Sequence, residues 1–171
     1  MDTPIANTAT ASSASALLRW QFGLAHRLLD TAITRLSTET AHRYLPGAAV
    51  PVGACYAQVV VHEDLSVNSV LAAGAPLAIS TWAGRTGLNE LPPLARPADW
   101  HAWASRVRLN LAEVRLYAQA VYAATDAYLA ALSDDALDLA CGEQTGRLLS
   151  ALLLTLAMRR GEIACLLSPE R

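Results

Sequence analysis

The stretch LLLTLAMRRGEIACLL, residues 152–167, sets a hydroxyl, a guanidinium and a carboxylate into an otherwise apolar helical pattern. Thr155, Arg159 and Glu162 are spaced by four and three residues, so on an α-helix they share one side. A second polar group lies upstream, where Gln58 is followed by His62, Glu63 and Asp64. These residue types allow a definite chemistry: Arg159 can anchor an anion, and His62 or Glu162 can move a proton beside it. His62 stands four residues after Gln58, one turn along a similar face, as a metal ligand, a general base or a rim residue. Glu63 and Asp64 are adjacent and point to different faces. Asp64 reads as a structural carboxylate, and Glu162 as one that organises the stripe through hydrogen bonds. A buried, unpaired Arg159 would be strongly destabilising. A carboxylate is therefore expected beside it, either Glu162 on its own helix or Glu63 or Asp64 across the fold, with Gln58 and Thr155 adding hydrogen bonds. His26, His42 and His101 read as solvated helix residues, and Cys165 as an inert buried thiol.

Four long helices are expected to position these groups. Leu18, Phe22, Ala25, Leu29 and Leu36 recur at helical spacing and predict a helix over 15–42, capped by Ser13 or Ser15. Ala54, Val61, Leu65 and Leu71 predict a second over 52–73, with Gln58 on the same side and Pro51 at its start. Residues 74–98 hold three of the nine Gly and four of the eight Pro, a long crossover of the kind that often carries function. Its GRTG, residues 84–87, is a turn or an anion-binding nest, and Trp82 is placed to cover a pocket mouth. A third helix over 99–132, capped by Asp99, carries Trp103, Val107, Asn110, Val114, Tyr117 and Val121 at helical spacing, with Asn110 and Tyr117 as pocket-lining candidates. A turn or short helix follows at 132–138. The fourth helix, 145–167, carries Leu148, Leu149, Leu152, Leu156, Ile163 and Leu166. The fold class is all-α, a four-helix bundle with a long crossover between helices two and three, preceded by a loosely ordered tail over 1–14.

Bulk composition narrows the function classes. The 171 residues suffice for one domain, and 53% hydrophobic against 16% charged residues describe a globular chain rich in the helix formers Ala and Leu. Net charge is −2, which disfavours nucleic acid as a partner. All 13 basic residues are Arg, so no Schiff-base or nucleophilic lysine chemistry is available. Three scattered Cys fit a reduced, cytoplasmic protein. The N-terminus has no signal-peptide pattern, and the longest apolar run, near 148–158, is too short to span a bilayer.

Taken together, VGACYAQVVVHEDLSVN (52–68), STWAGRTGLNELPP (80–93) and LLLTLAMRRGEIACLL (152–167) resemble the DinB-like superfamily, which includes mycothiol- and bacillithiol-dependent transferases and isomerases. The resemblance covers about 15–167 and implies a four-helix bundle. It also implies a divalent metal held by three His, one on helix two and two in an HxxxH pattern on helix four, just before RGE. Imidazoles at i and i+4 point the same way and can share one ion with a third from a facing helix. The open positions would then activate a water or a thiolate. This chain departs from the pattern at every ligand: the matching positions are Gln58, Thr155 and Arg159. A guanidinium offers no lone pair and brings positive charge to the cation's place.

Three functions follow as expectations. The first is a metal-free DinB-like protein, with no cofactor, that binds a small molecule, an anionic one among the options, or serves as an interaction module. In the second, a metal-independent enzyme uses Arg159 as anion anchor and His62 or Glu162 as acid/base. The third keeps the family's divalent-metal, thiol-dependent S-transferase or isomerase chemistry, with ligands drawn from His62, Glu63, Asp64 and Glu162. The resemblance implies dimerisation through helix faces, which an apolar-rich chain with few charges fits, so a homodimer is expected, with no membrane partner.

Overall fold

The computed structural model of the chain describes residues 13–93, 97–137 and 139–168. The expected loose tail lies outside them, apart from Ser13 and Ala14. The described residues are all-α. In chain order the elements are α1 (Ala14–Ile33), α2 (Thr38–Ala41), α3 (Val52–Asp64) running on into a π-helix (Leu65–Leu71), a 3-10 turn (Leu77–Ile79), α4 (Pro97–Arg106), α5 (Leu111–Ala131), a second 3-10 turn (Asp134–Leu137) and α6 (Leu139–Leu166). No helix among them is long and apolar enough to cross a membrane.

Four long helices carry the core. α1 packs against α5 and α6, and α3 packs against the same two, so the four close a ring. Side-chain pairs between α1 and α5 run in opposite directions, Arg19 with Asp126 and Asp30 with Gln119, so these helices are antiparallel. Across α1 and α6, Leu17 stands by Arg147 and Leu28 by Arg160, so these two run parallel. The inward residues keep the helical period: Phe22, His26, Leu29 and Ile33 on α1, and Leu149, Leu152, Leu156 and Ile163 on α6, are buried.

Two of the expected long helices are broken, each for a local reason. The first stops at Ile33 and not at 42. Thr34 turns its hydroxyl back onto the Asp30 carbonyl at 2.8 Å, and Ser37 starts α2 by accepting the Thr40 N–H at 3.1 Å. Hydroxyl side chains compete in this way with the helix ladder. The third splits at 107–110, where Leu109 forms a single antiparallel bridge with Leu88. Asn110, expected on a helix face lining a pocket, instead caps α5, its Oδ1 accepting the Ala112 N–H at 3.1 Å. Asp99 lies inside the first turn of α4 and is not its cap. Ser13 does cap α1, accepting the Ala16 N–H at 3.1 Å.

The crossover is tied down along its length. Asp64, at the end of α3, accepts the backbone N–H groups of Leu77 and Ala78, each at 2.8 Å. The Trp103 indole donates to the Glu90 carbonyl at 3.0 Å, and Arg106 pairs with the Glu90 carboxylate. The GRTG segment is a turn docked on α5. Gly87 has φ +77°, and a Cβ there would stand 2.7 Å from both the Asn110 carbonyl oxygen and the Val114 nitrogen. Only glycine tolerates that approach and that backbone.

Candidate functional site

On α6 the buried positions Leu149, Leu152, Leu156 and Ile163 leave one gap in their rhythm, and Arg159 fills it. Its Nη1 donates to Glu162 Oε2 at 2.7 Å, an i, i+3 pair in which both side chains are about one-third exposed (30% and 36%). The guanidinium carbon lies 5.4 Å from the centre of the Trp100 ring, contributed by α4. Cys55 on α3 closes the group, its thiol 3.8 Å from Glu162 Oε1. Burial, reinforced by the neighbouring Glu162, pushes that thiol up to about 11. Cys55 is therefore a protonated, weakly donating partner and not a nucleophile at neutral pH. Glu162 thus faces a cation on one side and a thiol on the other.

Among the described residues, none of the other expected site residues hydrogen-bonds or ion-pairs with this pair. Thr155 spends its hydroxyl on its own helix, donating to the Ala151 carbonyl at 2.9 Å. Gln58 is half-buried on α3, one turn after Cys55. His62 is exposed, with no hydrogen-bond partner among the described residues. Neighbouring protein strips enough water from its ring to lower its pKa. Trp82 is half-buried in the crossover, its ring 5.9 Å from that of Tyr117, with the Arg85 guanidinium over the indole at 5.5 Å. Cys165, expected to be buried, is exposed. Among the described residues no three His, Cys, Asp or Glu side chains converge to hold a metal ion.

The two carboxylates offered as cross-bundle partners for Arg159 are engaged elsewhere. Glu63 is fully buried and faces α1 and α5. Its Oε1 accepts the Thr125 hydroxyl at 2.6 Å and lies 2.9 Å from His26 Nε2. His26, expected to be solvated, is therefore a core residue. Its ring stacks on Tyr122 at 3.9 Å, with Phe22 edge-on at 6.0 Å. Asp64 is also fully buried and accepts four donors: the Leu77 and Ala78 N–H groups, the Asn68 amide at 2.8 Å and the Tyr117 hydroxyl at 2.7 Å. Burial and that bond both raise the Tyr117 pKa far above its ordinary value. His42, also expected in solvent, donates from Nδ1 to the Thr38 carbonyl at 2.7 Å and accepts the Leu109 N–H at Nε2 at 3.1 Å, holding α2 to the start of α5.

The sequence signal for Glu63 and Asp64 was their adjacency, which on a helix places them about 100° apart and lets each reach a different neighbour. Nothing local marked His26 or Thr125 as the partners of Glu63, which lie 37 and 62 residues away. No family model matches the chain, and no curated protein matches it in sequence.

Proposed function

We propose that the protein is a DinB-like bundle whose metal position has been refilled, and that it works without metal as a small-molecule-binding module. One observation carries this reading: at the spot where the resemblance expects the second histidine of HxxxH, Arg159 stands paired with Glu162 at 2.7 Å. A guanidinium cannot ligate a cation and repels one. With Cys55 and Trp100 the pair forms a small polar cluster that needs no metal to hold it together. The same pairing weakens the case for catalysis here. Glu162 is already engaged by Arg159 and Cys55, and His62 lies on the exposed side of α3 with no hydrogen-bond partner among the described residues to orient it.

The test is to rebuild the site. Gln58→His, Thr155→His and Arg159→His together restore the three imidazoles that the resemblance expects. Elemental mass spectrometry after dialysis should find under about one zinc or nickel ion per ten wild-type chains, and about one per chain in the triple variant, in line with a three-imidazole site. Near-stoichiometric metal in the wild type would overturn the refilled-site reading. A folded triple variant that binds none would overturn the equivalence of these positions with the family's ligands.

A further inference from the structure

We propose that the groove between α1 and α6 binds a small amphipathic carboxylate, an apolar body carrying one anionic head. The groove encloses about 420 Å3 and is walled by Trp20, Leu24 and Leu28 on one side and by Leu153 and Ala157 on the other. That is within the range of small-molecule sites, which are mostly apolar with a few placed polar groups. Arg160 closes the end marked by Leu28. Its Nε is buried and has no hydrogen-bond partner among the described residues. Among the described residues no carboxylate lines the groove; besides Arg160, Gln21 and the Trp20 indole bring polar groups to it.

Charge decides the occupant. Arg159, next along the helix, has its counter-ion in Glu162, whereas Arg160 has none among the described residues. Arg160 is half-exposed at the end of an apolar groove, and a carboxylate is the acceptor that a guanidinium without a counter-ion fits best. The apolar walls select against a small hydrated anion, which would gain nothing from Leu24, Leu28 or Leu153. A second copy of the chain fits less well. A two-fold partner presents the same face and so brings another Arg160. Among the described residues the groove's lining brings no carboxylate to answer it, and three carboxylates on the flanking helices are already taken: Glu162 by Arg159, Asp126 by Arg19 and Asp30 by Gln119. This inference does not rest on the refilled metal site; it uses the opposite side of α6.

The probe is decanoate, titrated calorimetrically below its micelle concentration, with decanol as the uncharged control of equal chain length. Trp20, which is 59% exposed at the groove, supplies a second readout through its emission, assigned by comparison with Trp20→Phe. Decanoate should bind about tenfold more tightly than decanol, the usual worth of one charge-assisted hydrogen bond. Arg160→Gln should erase that difference while leaving decanol binding unchanged. Ala157→Phe, which fills the groove from an exposed helix position, should weaken both. Circular dichroism checks that each variant folds. Equal binding of decanoate and decanol, a charge preference that survives Arg160→Gln, or no binding of decanoate would each overturn the proposal. So would sedimentation showing a wild-type dimer that Leu28→Glu converts to monomer, since a second copy would then occupy the groove.

Discussion

Replacing Asp64 by Asn tests the clamp that fixes the crossover. The two carboxylate oxygens share four donors. Oδ1 takes the Asn68 amide and the Leu77 N–H, and Oδ2 takes the Ala78 N–H and the Tyr117 hydroxyl. An asparagine amide must turn its NH2 toward one of these pairs. Facing Oδ2's donors is the milder choice, because the Tyr117 hydroxyl can reverse and accept, leaving only the Ala78 N–H orphaned. The loss is then one hydrogen bond to a charged group plus one stranded buried N–H, together about 2.5–6 kcal/mol. Tyr117→Phe removes a single donor and should cost about 1.5–3 kcal/mol. Because the two share one bond, the double variant should cost less than the sum by about 1 kcal/mol. Urea unfolding gives these differences. Hydrogen exchange separates them further: the Ala78 amide should lose protection in Asp64→Asn while Leu77 keeps it, and both should stay protected in Tyr117→Phe. If Asp64→Asn stays within about 0.5 kcal/mol of wild type, the level of an ordinary surface change, with the Ala78 amide still protected, the clamp reasoning is wrong.

Glu63→Ala should destabilise by about 3–5 kcal/mol, the usual penalty for stripping a buried charged partner, because His26 and Thr125 both lose their acceptor; thermal unfolding at fixed pH measures it. Gly84→Ala and Gly87→Ala both place a side chain at positive φ, but a Cβ at residue 84 meets open space and one at 87 meets backbone at 2.7 Å. Gly84→Ala should therefore cost about 1 kcal/mol, near the left-handed penalty alone, and Gly87→Ala clearly more, read from the urea midpoints. In a Cys141→Ser background at about pH 8, where an unperturbed thiol reacts readily, iodoacetamide should label exposed Cys165 and spare Cys55. The folded-state thiol pKa of Cys55, about 11, lies above that of the unfolded chain. Its contribution to stability is thus fully present below the unfolded value, about 8.5, and fades as pH rises through about 11; Cys55→Ser should remove that alkaline loss.

Much of the chain's local structure can be read from neighbouring residues. The cap at Ser13, the inward rhythm of Phe22, Leu29 and Ile33, and the turn glycines at 84 and 87 depend on interactions within a few residues. The Arg159–Glu162 pair is of the same kind, since i, i+3 spacing brings the two side chains together on any helix. The helix breaks at 34–37 and 107–110 also have local causes, the hydroxyls of Thr34 and Ser37 and the cap at Asn110. Periodicity alone passes over them, because Leu36 and Val107 continue the apolar pattern across each break.

The sequence by itself determined an all-α chain, the polar stripe on α6 and the need of Arg159 for a carboxylate, because helix period and short-range pairing follow from backbone geometry. The tertiary structure decided which carboxylate serves which partner. Only packing α3 between α5 and α6 delivers Glu63 to Thr125, brings His26 of α1 within its reach, and turns Asp64 toward the crossover. Only the parallel run of α1 and α6 sets Arg160, without a counter-ion among the described residues, at the end of an apolar groove. Those contacts join residues 13 to more than 130 positions apart, and their partners are chosen by which helix faces meet, which no local pattern encodes.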